Sequence, residues 1–144
     1  MRFGAGMSRT ALLLLLLASQ PAVVVFAAEL DYRQITVAEA RQLVMAYLRW
    51  RGFTKLPSFA LDKSPEVNES EFYFFSAMFD NPLPDGSVVI GNYGVEKRTG
   101  DVWDGAACIE EEAPPLRALQ QKIRARLGIT PSSYKRLKRP GPGC

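Results

Sequence analysis

The stretch EFYFFSAMF, Glu71 to Phe79, constrains the fold of this chain more than any other. Aromatic residues dominate it, and aromatics favour a pleated, half-buried surface, so the stretch predicts a β-strand. Side chains alternate along a strand, which sends Phe72, Phe74 and Met78 to one face and Tyr73, Phe75 and Phe79 to the other. Both faces are then apolar. A strand with one wet face alternates apolar with polar residues, so this one demands cover on both sides. One cover is a helix; the other is a second helix, a partner chain or a ligand.

The first helix is written upstream. Thr36 and Glu39 have the spacing of a capping box, in which each side chain satisfies a backbone donor at a helix start. Val37, Ala40, Val44 and Leu48, with Leu43 and Tyr47 alongside, recur at three- and four-residue spacing and form one apolar face. Arg41, Arg49 and Arg51 project elsewhere, and Gly52 supplies the left-handed residue that ends the helix. A second helix follows EEEAPP, with Pro115 in its first turn, Leu116, Leu119, Ile123 and Leu127 on one face, and Gly128 as terminator. It is the candidate cover for the second face of the aromatic strand.

Between the helices the signals are those of strands and turns. FTKLPSFALD reads as a broken strand near Leu56 to Leu61, weakened by Pro57. SPEVNES reads as a loop, and Asn68 begins an Asn-x-Ser sequon within it. Val88 to Lys97 predicts a strand, RTGD a tight reversal with Gly100 at positive φ, and DVWDGAAC the returning strand. Gly91 and Gly94 leave gaps beside Tyr93 for a bend or for close approach by a bulky side chain. The expected class is α+β: an N-terminal helix packed on a curved antiparallel sheet of about three to four strands, followed by a C-terminal helix.

The termini set the domain organisation. Arg2 and Arg9 precede the apolar run ALLLLLLASQPAVVVFAA, and Val25 and Ala27 suit signal-peptidase cleavage after Ala27. Ser19, Gln20 and Pro21 interrupt the run short of the roughly 20 apolar residues a membrane span needs. Residues 1–27 are therefore expected as a signal peptide, 28–129 as a single domain and 130–144 as a basic flexible tail, in an exported protein that is periplasmic or secreted. Cys108 and Cys144 are then candidates for one disulfide, worth about 3–4 kcal/mol on the loop-closure model. The alternative is that Cys144, which follows PGPG, bonds to another molecule.

Composition narrows the chemistry. Among 144 residues there is no histidine, which removes the commonest general base, the usual triad partner and the most frequent transition-metal ligand. Two cysteines alone make no zinc site, and GNYGVEKRTG lacks phosphate-loop spacing; Asp80, Asp85 and Asp101 would make a calcium or partner-binding patch only by gathering at one sheet end, since they lack the spacing of a calcium loop. No catalytic residue, metal site or cofactor is expected. The net charge of +3 is uneven, with Glu110 to Glu112 opposed by Lys135 to Arg139. The basic tail is a candidate for contact with an anionic envelope surface, whereas no basic and aromatic interleaving points to specific nucleic-acid binding. The binding candidates are Tyr93, Asp101, Trp103 and Asp104, since aromatics anchor protein interfaces. Asp101 and Asp104 fall on opposite faces of their strand, so they do not converge unless it bends, and they read as solvent-facing caps of the hairpin.

The segment YGVEKRTGDVWD resembles the strand, K-x-TG turn and [DE]-V-W strand of small bacterial exported or immunity proteins of the cystatin-like superfold, including the nuclear-transport-factor-two-like immunity proteins. A similar hairpin occurs in PepSY-type domains. The match covers about a dozen residues and the order helix, strands, hairpin. The fuller nuclear-transport-factor-two-like fold carries more helical sequence before its strands than the one helix here. The resemblance implies a curved antiparallel sheet wrapped around a helix, no cofactor, and a role in binding and blocking a toxin or hydrolytic enzyme. The expectation is thus an exported, non-enzymatic protein-binding domain, an immunity protein or inhibitor. The alternative is a small-molecule binder or carboxylate-dependent enzyme with a pocket between sheet and first helix.

Overall fold

A computed structural model describes residues 33–63, 71–83 and 88–143. The expected signal peptide, the Asn68 sequon, Asp85 and Cys144 lie outside the described residues. Helix α1 spans Val37–Trp50 and opens on the predicted capping box: Glu39 N donates to Thr36 Oγ1 at 3.2 Å, and Thr36 N donates to the Glu39 carboxylate at 2.8 Å. Those hydrogen bonds to Thr36, joined by the Arg126 guanidinium, hold the Glu39 carboxyl below its ordinary range. Gly52, at φ +80°, ends the helical run, as only a residue without Cβ does cheaply.

Five strands follow: β1 Ala60–Lys63, β2 Phe72–Met78, β3 Val89–Glu96, β4 Val102–Asp104 and β5 Ile109–Glu110. They form one open antiparallel sheet in chain order, β1-β2-β3-β4-β5. The sheet exceeds the expected three to four strands at its edges. β1 starts four residues later than Leu56 because a 3-10 turn, Phe53–Lys55, occupies the chain first, and Pro57 accepts from Asp80 N at 2.9 Å outside the ladder. At the other edge, DVWDGAAC turns sharply after Asp104, and the chain returns as β5.

The inner face of the sheet carries Phe75, Ala77, Tyr93, Val95 and Val102, which pack against Leu43, Val44, Tyr47 and Leu48 of α1. All nine are buried, so side chains fill the space between sheet and first helix. The small-molecule or carboxylate alternative looked to the space that these side chains occupy. β2 shows the expected alternation up to Ala77, where its register with β3 shifts. Phe79 has left the strand and donates its N–H to Val88 O at 2.9 Å.

Helix α2, Pro114–Arg126, does not cover the second face. It lies beside α1, burying Leu116, Gln120 and Ile123. The outer face is closed instead by the segment expected to be a flexible tail, which requires correction. Thr130 and Ser133 form a second capping box, and α3 runs Pro131–Leu137. Beyond it, Lys138 pairs with Glu110 at 2.6 Å and Arg139 with Glu71 at 2.8 Å. Leu137, Gly141 and Pro142 are buried. A Cβ placed on Gly94 would come within 2.6 Å of Pro142 Cγ, and one on Gly141 within 2.5 Å of Trp103 Cε3. The two glycines thus let a proline and an indole seat where any larger residue would intrude. The tail is a strap across the aromatic face.

Candidate functional site

The β3–β4 hairpin is organised by two buried carboxylates. The tight RTGD turn brings Glu96 under its own loop, where it accepts from Thr99 N at 2.5 Å, Arg98 N at 2.9 Å and Arg98 Nε at 3.2 Å. Gly100 takes φ +73°, as the turn requires. Asp101, 1% exposed, accepts from Thr99 Oγ1 at 2.8 Å, Arg124 Nη2 at 2.5 Å and the Tyr134 hydroxyl at 3.0 Å. Arg124 also donates Nε to Thr99 O at 2.8 Å and lies 4.1 Å from the Tyr134 ring centroid, a cation–π contact. Gln120 donates to Gly100 O at 3.0 Å. Burial and the neighbouring Asp101 charge push the Tyr134 hydroxyl pKa up. One hairpin, one position on α2 and one on α3 are thereby locked together through a single carboxylate.

Tyr93 faces the opposite side of the sheet. Its ring meets that of Tyr47 edge-on at 5.8 Å, and a Cβ on Gly91 would come within 2.9 Å of its hydroxyl, so Gly91 makes the room that Tyr93 occupies. Burial, with Glu111 and Asp104 nearby, pushes the Tyr93 pKa up to about 12. Tyr47 is raised further, by burial and a hydrogen bond to Glu111. Asp104 closes the next turn, its Oδ1 accepting from Ala106 N at 2.8 Å and Ala107 N at 2.9 Å. Trp103 lies under Gly141, its Nε1 buried with no hydrogen-bond partner among the described residues.

The four sequence-derived binding candidates are therefore not one contact surface. Tyr93 and Asp101 are buried, Trp103 is covered by the strap, and Asp104 caps a turn. Their chemistry is spent on the fold. Asp80 and Asp101 also do not gather: Asp80 sits beside Pro57 at the start of β1, at the far end of the sheet from the Thr99–Gly100 turn. Among the described residues no group of three or more cysteines and carboxylates could hold a metal ion, and no helix is long and apolar enough to cross a membrane. Cys108 stands at φ +55° in the β4–β5 turn, and its expected pairing with Cys144 lies outside the described residues.

What remains on the surface is concentrated at one end. The N-terminus of α1 lies at the β3–β4 turn, since Ile35 N donates to Lys97 O at 2.8 Å. Its C-terminus lies at the opposite end of the sheet, where Trp50 packs on Tyr47 and Tyr47 on Tyr93. Val89 opposite Met78, and Ile109 opposite Asp104, which is itself opposite Tyr93, share that end. Leu83 and Val88, flanking the β2–β3 connection, complete it. Trp50 is 52% exposed, Leu83 68% and Ile109 60%, with Val88 and Val89 also open. Five of the six large exposed hydrophobics of the described residues thus crowd one end, and such clustering marks interaction surfaces. Sequence reasoning missed it because each of these residues stands at an element end or in a connection, where periodicity says nothing about burial.

No family model matches the chain, and no curated protein matches it in sequence. Among solved structures, it is similar to one chain of the "Structure of a type VI secretion system effector-immunity complex from Pseudomonas protegens". The match has a TM-score of 0.60 and 24% identity, and covers 72% of this chain and 86% of that one. The likeness is one of fold.

Proposed function

We propose that this chain is an exported, non-enzymatic protein-binding domain that serves as an immunity protein or inhibitor, holding a toxin or hydrolase inactive by occupying its surface. The observation that carries this reading is the fold shared, over 72% of the chain, with a component of an effector–immunity complex. Three features support it. The sequence has no histidine, the interior between α1 and the sheet is packed, and the apolar side chains left exposed at the end of the sheet beside the C-terminus of α1 include Trp50. Exposed tryptophan in such a patch is the side chain most often found to dominate binding energy. Export rests on the apolar segment before Ala27 and places the encounter in the periplasm or outside the cell. Two cations of the basic segment are engaged within the domain, leaving Lys135 and Arg136 to meet any anionic envelope surface.

The test is co-expression with proteins encoded beside this chain. One of them is expected to arrest growth, the arrest to be relieved by this chain, and the pair to co-purify as a stable complex. Trp50→Asp is expected to weaken the complex by about 2 kcal/mol, roughly thirtyfold in Kd, while leaving the far-ultraviolet circular dichroism unchanged. Relief of toxicity without complex formation, or turnover of a substrate by the purified chain, refutes the reading.

A further inference from the structure

Away from the sheet, α1 borders a groove of about 570 Å³ between Arg41 and Arg49, with Met45, Ala46 and Leu119 of α2 among its lining residues. Both arginines are exposed, and no carboxylate of the described residues lines the groove. Glu39, the only acid on α1, is turned to Arg126 at 2.5 Å. The remaining ion pairs among the described residues engage Glu71, Glu96, Asp101, Glu110 and Glu112, all outside the groove. Arg49 has no ion-pair partner among the described residues, and Arg41 donates only to the neutral carbonyl of Leu61. Among the described residues, the groove therefore carries two positive charges with no ion-pair partner beside an apolar strip. Trp50 follows Arg49 directly in the chain, and Ala46 lies one turn before Trp50 on the same helix.

We infer that this groove takes an acidic, extended segment of a protein partner, a deduction that rests on the protein-binding reading and gives that partner a chemistry. The spacing sets the pattern. Arg41 and Arg49 stand eight residues apart on one helix, about 12 Å along its axis. An extended chain covers that distance in about four residues, with every second side chain on the same face. Carboxylates at the first and fifth positions of such a segment meet the two guanidinium groups, and an apolar side chain at the third rests on Met45, Ala46 and Leu119. Arginine suits this task because its planar donor fork matches a carboxylate and its charge is cheaply desolvated beside apolar surface.

The probe is a synthetic peptide with the core Glu-Ser-Leu-Ser-Glu, its ends blocked, titrated at low ionic strength into the protein while amide NMR shifts are followed. Shifts are expected along Arg41 to Arg49 and at Leu119. Binding is expected to weaken about tenfold in Arg49→Glu and to fade as salt rises above about 0.1 M. Arg117→Glu, in the first turn of α2 and outside the groove, is expected to leave binding unchanged. The inference is overturned if the Lys-for-Glu peptide binds equally, if Arg49→Glu has no effect, or if shifts map elsewhere. It is also overturned if phosphatidylglycerol vesicles or duplex DNA occupy the groove in preference to the peptide. None of these outcomes touches the co-expression test, so a partner retained through Trp50 with an idle groove sinks this inference alone.

Discussion

Replacing Asp101 by asparagine isolates the charge that ties the hairpin to α2 and α3. The change preserves side-chain shape and one acceptor oxygen, so the Tyr134 hydroxyl at 3.0 Å keeps a partner, and the Thr99 hydroxyl at 2.8 Å can rotate to accept from the new amide. Arg124 is the group that suffers. Its Nη2 lies 2.5 Å from the carboxylate, and its side chain is only 17% exposed. Removing one member of a buried pair costs about 3–5 kcal/mol. Arg124 retains its bond to Thr99 O at 2.8 Å and some contact with water, so the low end applies, about 3 kcal/mol. For a domain of this size each kcal/mol lowers Tm by about 4 °C, so a fall of about 12 °C is expected in thermal unfolding followed by circular dichroism. Arg124→Met should cost a similar amount. The double variant should cost much less than the sum, with a coupling of about 2 kcal/mol. Two independent losses that simply add, or an Asp101→Asn cost below about 1 kcal/mol, would show that the pair is not the clamp described. Binding of the partner proposed above should survive the substitution at low temperature, since Asp101 does not reach the surface.

Gly94→Ala should lift the strap, because its new Cβ meets Pro142 Cγ at 2.6 Å; in a Trp50→Phe background, Trp103 emission should shift to the red and cleavage near Lys138 should quicken, and unchanged emission would contradict the packing. Tyr93 has a folded pKa of about 12, above the ordinary value of 10.0, and Tyr47 is raised in the same direction. The stability that their neutral forms confer is therefore complete below pH 10 and lost as pH rises toward 12, which alkaline unfolding with tyrosinate absorbance will show as one coincident transition. Titration of both tyrosines near their ordinary value without unfolding would contradict their burial. Cys108 and Cys144 should be bonded in protein recovered from an oxidising compartment, making the intact mass lighter than the reduced form by the two thiol hydrogens.

How much of this was readable depends on where each residue sits. The Thr36–Glu39 box, the apolar face of α1, the Gly52 stop and the doubly apolar β2 all came from periodicity, because each occupies the middle or a capped end of a regular element. Gly91 beside Tyr93 was legible as a gap, but the partner of Gly94 was not, since nothing local connects it to Pro142, 48 residues on. α3 escaped because it has only seven residues and is rich in lysine and arginine. Its sequence signal was Thr130 three residues before Ser133, with Pro131 at the first helical position. The candidate site failed for the same reason. Asp101 looked like a solvent-facing turn residue, and only the long-range approach of Arg124 and Tyr134 turned it inward.

Because the sheet repeats the order of the chain, every strand pairing is a local reversal that can zip up as soon as its two halves exist, a low-contact-order assembly. The outer face obeys a different clock. Phe74, Gly94 and Trp103 are in place long before Gly141 and Pro142 arrive to shield them, so a chain that stops at Gly128 presents a nearly complete sheet with a greasy, unshielded back. Light scattering by such a shortened chain, set against the full one, should reveal self-association, making the final sixteen residues the step that keeps the back of one copy from sticking to that of the next.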